Sequence, residues 1–486
     1  MVLQAVSGGI LGTTPFGMNG HDKDDSISSY QWTEQQGLPV ALSSPAVVLL
    51  SNGDVLVTGG STPNGPTAAT EIFDHERGIW TPGPTMSSKR VGHTATLLGD
   101  GSVLVTGGET GTGVTSTAER LDISRSATLP LAKMNFARVG HAAALLPDET
   151  VLVAGGTDLA STWKQAEKYD PAKNVWTPAN SMSGPRSFFA LNVLTSGEVL
   201  AVGGDATGTS EKYSPASNSW SEISQMTSVR SKFGISSQPS GRLLVAGGLS
   251  AGSPVASAEY YNASDNSWTK VADMSAPRAD FSLSALRNGQ VLAVGSYSSL
   301  GTTNSTELFD PVSLSWADSK PMNHSRGAHG SAVLEEGWVL VICGRSGSGF
   351  TSSVELFSPE PIKPPRFCQP KDIIPLVRKA TELPGNSANG LIAKLLAAQE
   401  KYESRDFEVC INIMNAFNGQ LRAFARNGHI SGPHALEIYD AYASVVRCLG
   451  GTPQPMLLTV FASMFRGWPG PENATFFLKM FSLFPV

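Results

Sequence analysis

The chain has 486 residues, a formal net charge of −6 and only 16% charged residues. No run of Lys or Arg stands out, which excludes a dedicated nucleic-acid face or a surface for anionic membranes. No stretch approaches the roughly 18 consecutive apolar residues of a transmembrane helix, and the length suits one large and one small unit.

Residues 1–28 read as an N-terminal extension. Their mild apolar patch, Gly9-Ile10-Leu11, has no basic segment before it, so it makes a poor signal peptide. The expectation is a cytoplasmic chain, or a secreted one whose leader is absent.

From there to Pro359 one pattern recurs seven times: a β-branched run closing in a Gly pair, a Glu-aromatic-Asp block, a Trp, then Met and Arg. The run appears as Val55 to Gly60, Val103 to Gly108, Val151 to Gly156, Val199 to Gly204, Leu243 to Gly248, Val291 to Ser296 and Val339 to Gly344. Gly59, Gly107, Gly155 and Gly203 are 48 apart, Gly247 follows after 44, and Gly295 and Cys343 restore 48. Before each run lies a segment such as His93 to Leu98, alternating small and large residues as an innermost strand beside a crowded axis requires. Turns such as Asn52-Gly53, Asp100-Gly101 and Asn288-Gly289 suit the positive φ of tight hairpins. A third strand carries Glu71, Glu119, Glu167, Glu211, Glu259, Glu307 and Glu355, and a fourth carries Trp80, Trp176, Trp220, Trp268 and Trp316. Such repetition implies stacking of one supersecondary unit.

Four short strands per unit, with a Gly pair and an aromatic residue at a period near 50, resemble the kelch repeat. The resemblance covers about Ser29 to Pro359 and implies a mainly β fold, a seven-bladed kelch-type β-propeller over residues 29–359. The last copy lacks its own Trp. Trp32 stands 13 residues before Pro45, the same step as Trp80 to His93, so the N-terminal strand is in phase to close blade seven and remove an open sheet edge. Thr128 replaces the Trp of blade two, whose outer strand should be weaker, and the 44-residue step comes from four residues lost between Gly204 and Glu211, a notch on the loop face.

Residues 360–384 form a connector whose Pro361 to Pro365 stretch forbids regular structure. The period then changes to 3.6. Leu391, Leu395 and Ala398 mark one helix; Ile413, Phe417, Leu421 and Phe424 a second; Ala435, Ile438, Ala441, Val445 and Leu449 a third. An antiparallel three-helix bundle is the economical packing. Leu391 to Ala398, Asn415 to Asn418 and Gly428 to Ile430-Ser431 resemble the small helical module called FIMAH over residues 385–450, which implies an accessory or interaction role. Residues 451–486 are an apolar tail that could cap the bundle, dock on the propeller or join copies into an oligomer.

Arg90, Arg138, Arg186, Arg230, Arg278 and Arg326 each follow a Met by four residues and should ring one end of the channel. They offer either an anion-binding mouth or partners for the Glu series, since unpaired buried charge is costly. His93, His141 and His329 share one repeat position with Phe189, Phe233, Phe281 and Pro45; they are weak metal candidates at what the exchange with Phe marks as a packing site. Cys343, Cys368, Cys410 and Cys448 have no zinc-site spacing and read as thiols, with a Cys410–Cys448 bridge left open. Seven-bladed kelch propellers include the galactose oxidase family, but the inner strands offer no Tyr and Cys343 sits at a Gly-pair position, so that copper chemistry is not carried over and no cofactor is expected. No nucleophile elbow, phosphate loop or HExxH motif is present. The Ser- and Gly-rich loops Ser61 to Thr70, Glu109 to Thr117 and Ser296 to Thr306 suit adaptable binding. The sequence thus points to a non-catalytic scaffold presenting a loop face to a protein or glycan; the alternative is a lyase, isomerase or oxidoreductase using an Arg-rimmed channel.

Overall fold

The computed structural model describes residues 30–238, 241–298, 301–347 and 349–358, the helix Gly385–Glu403, the helical residues 412–418, and Ile438 and Tyr442. The chain divides into two units, Met1–Pro361 and Ile362–Val486.

The first unit is built from seven four-stranded antiparallel sheets. Blade one is typical: Ala46–Leu49, Val55–Thr58, Thr70–Asp74 and Ile79–Pro82 pair in chain order. First strands neighbour one another from blade to blade and line the axis. The second strand is covered on both faces by the flanking blades, and this is why it is a continuous apolar run rather than an alternating one. Val55, Leu56, Val57 and Thr58 are all at most 1% exposed. Leu56 shares a core cluster with Val103 and Val105 of the next blade.

Blade seven is closed by both ends of the propeller. Gln31–Gln35 pairs with Gly349–Ser358, setting Trp32 opposite Phe357, their rings 5.0 Å apart. The same pairing recurs as Phe73–Trp80, Tyr169–Trp176, Tyr213–Trp220, Tyr261–Trp268 and Phe309–Trp316, at 4.9–5.2 Å. Except in Trp268, the indole N–H then reaches the chain leaving the preceding blade: Trp32 donates to Lys320 O at 2.9 Å and Trp80 to Gln36 O at 2.8 Å. In blade two both partners change together, to Leu121 opposite Thr128. Thr128 Oγ1 nevertheless donates to Thr85 O at 2.8 Å, so the hydroxyl replaces the indole in the interblade bond.

The Gly pair has a steric cause. Gly59 has φ +53, and a Cβ there would run into Arg90 O and the His93 ring. Cys343 takes the equivalent place at φ 50 in the one blade that faces Pro45 rather than an aromatic ring at the next repeat position.

In the second unit the helix Gly385–Glu403 buries Leu391, Leu395 and Ala398 completely, the face its periodicity marks. Met414, Phe417, Ile438 and Tyr442 are also buried, and Tyr442 OH donates to Asn415 Oδ1 at 2.7 Å. The remainder of the expected bundle, the connector and the tail lie outside the described residues.

Trp32 combines aromatic packing with an interblade bond at the closure, so Trp32→Ala is expected to lower the unfolding free energy by about 3–4 kcal/mol. Urea denaturation measures this; a loss below about 1 kcal/mol would mean that the N-terminal strand does not hold blade seven closed.

Candidate functional site

The residue before each aromatic position lies where the chain enters the innermost strand. Ser44, Gly92, Gly140, Phe188, Lys232, Asp280 and Ala328 all have φ between 48 and 66. Their backbones bond to one another around the axis. Phe188 N donates to Gly140 O at 2.8 Å, Lys232 N to Phe188 O at 3.1 Å, Asp280 N to Lys232 O at 3.1 Å, Ala328 N to Asp280 O at 2.7 Å and Ser44 N to Ala328 O at 2.7 Å. This collar forms the mouth of the channel, and left-handed backbone explains the glycines in blades two and three.

Phe188, Lys232 and Asp280 tolerate the same conformation at a cost of about 1–2 kcal/mol each. They occupy consecutive blades and touch: Lys232 Nζ lies 3.3 Å from Asp280 Oδ2 and 5.3 Å from the Phe188 ring centre. Asp280 Oδ1 is buried with no hydrogen-bond partner. One arc of the mouth is therefore aromatic and charged while the rest is small. Sequence reading passed over these residues. Their signal was the loss of glycine at a repeat position that holds Gly92 and Gly140 in other blades.

The six arginines lie beside the collar but within the blade walls, each at most 1% exposed. Arg278 shows the arrangement: Nη1 donates to Gly295 O and Ser305 O, both at 2.9 Å, while Nε and Nη2 donate to Glu307 Oε1 at 3.0 and 2.9 Å. Arg90, Arg138, Arg186, Arg230 and Arg326 pair likewise with Glu119, Glu167, Glu211, Glu259 and Glu355, at 2.7–2.9 Å. The second oxygen of each glutamate accepts a backbone N–H from the incoming loop, such as that of Ser87, Asn135 or Ser275, at 2.6–2.7 Å. Burial lowers the pKa of Arg138, Arg230 and Arg326, and the adjacent carboxylates oppose that shift.

Blade one is the exception. Leu42 stands 48 residues before Arg90 and Pro39 stands 48 before Ser87, so both the guanidinium and the N–H are missing. Glu71 Oε2 is buried without a hydrogen-bond partner, and burial raises its pKa.

The three histidines are separate, each reaching back to the preceding blade. His93 Nε2 lies 2.8 Å from Thr58 Oγ1, His141 Nε2 3.0 Å from Thr106 Oγ1, and His329 Nε2 2.9 Å from Ser282 Oγ. Burial, reinforced by a neighbouring Arg, lowers all three pKa values to about 3, so they are neutral packing groups at ordinary pH. Among the described residues no cluster of three or more His, Cys, Asp or Glu could hold a metal ion. Cys343 is buried, with its thiol pushed up to about 12 by desolvation.

Two features flank the mouth. Between blades four and five, at the shortened loop, lies a cavity of about 440 Å³ whose lining includes Phe188, Asp205 and Leu249. On blades six and seven the second and third strands extend into long hairpins, Val291–Ser298 with Gly301–Asp310 and Val339–Ser346 with Gly349–Ser358. There the exposed Arg345 sits 5.1 Å from the Tyr297 ring and 5.3 Å from the Phe350 ring, and its Nη1 donates to Tyr297 OH at 2.9 Å.

The Kelch motif family matches residues 43–87 and 239–275, and no curated protein matches the chain. Among solved structures, a fungal alcohol oxidase of the AA5 family in complex with copper is 18% identical over 68% of this chain and 76% of its own, with a TM-score of 0.58. A structure described as that of YjhT is 15% identical, covering 59% of this chain and 99% of that one, with a TM-score of 0.47. At 18% identity the likeness to the alcohol oxidase is one of fold alone.

Glu167→Gln strands Arg138 and is expected to destabilise by about 3 kcal/mol or more. Glu71→Gln should cost nothing at pH 7, because a raised pKa means that any stabilisation by Glu71 is present at low pH and lost as the pH rises; denaturant midpoints at pH 7 decide both. Each histidine is protonated in the unfolded chain below about 6.5 but in the fold only near 3, so stability falls with pH across that window by about 1.4 kcal/mol per unit per histidine. The triple variant His93→Phe, His141→Phe, His329→Phe should flatten this slope between pH 6 and pH 4, and an unchanged slope would show that the imidazoles titrate freely.

Proposed function

We propose that this kelch-repeat, seven-bladed propeller is a non-catalytic binding scaffold that engages a partner protein through the face carrying the channel mouth and the hairpins of blades six and seven. The observation that carries the reading is the contrast between wall and rim. The arginines and histidines of the sequence pattern are engaged inside the blades, whereas Tyr297, Arg345 and Phe350 gather at the tips of the two longest hairpins. Tyr and Arg are the residues on which interface energy concentrates, and a rigid scaffold presenting varied loops is the usual arrangement for recognition. The helical unit supplies a second surface for contact. No described helix is long and apolar enough to cross a membrane.

The test compares the two faces. Full-length protein and the variant Tyr297→Ala, Arg345→Ala, Phe350→Ala are crosslinked in extracts of the native host, with Val312→Asp, 91% exposed in wild type on a turn between third and fourth strands, as control. The triple variant is expected to lose the crosslinked partner that wild type and the control retain. Equal capture by all three would place recognition elsewhere.

A further inference from the structure

In most blades the chain entering the innermost strand pairs with the residue after the Gly pair through two reciprocal backbone bonds. Ser43 and Ser61, Val91 and Glu109, Val139 and Thr157, and Ser231 and Leu249 all do so, at 2.7–3.0 Å. Blade six keeps one of the two bonds, from Tyr297 N to Ala279 O at 2.8 Å, with Ser296 Oγ accepting from Ala279 N at 3.1 Å, and blade four keeps neither. Its loop is four residues shorter, and Ser187 N donates to Gly204 O instead. Asp205 N–H and Ser187 C=O make no reciprocal bond, and both border the cavity between blades four and five.

The walls of that cavity are mixed. Phe188 lines it on strained backbone, its ring resting against Gly140 with Lys232 Nζ 5.3 Å from its centre, and Leu249 adds an aliphatic surface. Ser187, Ser231 and Ser250 also line it, and no hydrogen bond among the described residues uses their hydroxyls. The ions at its edge are already neutralised. Asp205 Oδ2 accepts from Thr207 and Thr209 hydroxyls at 2.5 and 2.6 Å, and Oδ1 lies 3.4 Å from Arg186 Nη1, buried with no hydrogen-bond partner. Arg230 is paired with Glu259 at 2.9 Å. A charged ligand would find no counter-ion free, whereas a neutral molecule rich in hydroxyls would meet donors and acceptors left open by the missing bridge.

From these features we infer that the notch between blades four and five is a binding site for a neutral polyhydroxylated ring of monosaccharide size, one apolar face against Phe188 and its hydroxyls on Ser187, Ser231, Ser250 and the open backbone groups. A volume of about 440 Å³ falls within the usual range of small-ligand sites, about 300–1,000 Å³. Aromatic walls with a few convergent hydroxyls are the means by which such a ring is held while both its faces are served. The site is separate from the hairpin surface proposed above, so either can fail alone.

The experiment titrates full-length protein with D-glucose, D-galactose and D-mannose by saturation-transfer NMR and calorimetry. Two variants accompany it. Phe188→Gly restores the residue type of Gly92 and Gly140 and suits the left-handed backbone; a four-residue insertion after Ala206 refills the notch. At least one sugar is expected to saturate the wild type, and each variant should weaken it about tenfold or more without a fall in melting temperature. Absence of saturable binding by all three sugars, or binding unchanged in both variants, overturns the assignment.

Discussion

One buried guanidinium per blade holds this propeller together, in every blade but the first. It ties the incoming loop to the end of the second strand and the start of the third, with Nη1 on two carbonyls in each of these blades and Nε engaged as well in Arg90, Arg186 and Arg278. A charge at such depth is tolerable only when it is paired and hydrogen-bonded, and the paired glutamate also caps the loop's own N–H groups. The separation along the chain is 29 residues in five blades and 25 in blade four, where Arg186 still meets Glu211. Four residues can therefore be removed from the intervening loop without loss of the lock. The deletion is felt only at the rim, where it opens the notch.

The lock also explains how the mouth can vary. In the six locked blades the loop is anchored on one side by arginine and on the other by the first strand, and the residue between them takes left-handed backbone with its N–H in the collar where Phe188, Lys232, Asp280 and Ala328 stand, a conformation that Ser44 shares in blade one without an arginine. What side chain it carries is then a secondary matter. Gly92 and Gly140 are the least strained choice, and Phe188, Lys232 and Asp280 are held there by surroundings that over-determine the conformation. Strain retained on three adjacent blades beside an open cavity is where specificity can be built with little loss of scaffold.

The repeat was legible because several independent positions enforce it in each blade: Gly pairs, hairpin turns, paired aromatics and the Arg and Glu positions. Even the closure by Trp32 could be read from a spacing alone, since a fourth strand must carry its indole at a fixed distance from the next innermost strand. The arginines were harder. Counting them against the glutamates suggests balance but does not reveal that Glu71 is the odd one out, because the reason lies in two residues of the loop before it, Leu42 and Pro39, which only the register aligns with Arg90 and Ser87. The collar was invisible as chemistry: Phe188, Lys232 and Asp280 are separated by 44 and 48 residues and come together only through the closure of the ring. In the helical unit, Leu391, Leu395 and Ala398 did mark the buried face, as 3.6-residue periodicity requires.

Departures from a repeat differ in what they imply, according to whether the structure compensates them. Blade two exchanges an aromatic pair for Leu121 and Thr128, yet the threonine hydroxyl takes over the interblade bond, so nothing is left unmet and the change reads as drift within the scaffold. Cys343 replaces a glycine where the facing residue is Pro45, and the smaller neighbour absorbs the side chain. The notch of blade four is different in kind. With four residues fewer, Asp205 N–H and Ser187 C=O lack the reciprocal bonds made at this position in blades one, two, three, five and seven, and Ser187, Ser231, Ser250 and Phe188 line the gap. Groups of that type are satisfied by water or by a ligand, and here the repeat keeps its internal Arg186–Glu211 lock while the change falls on the rim.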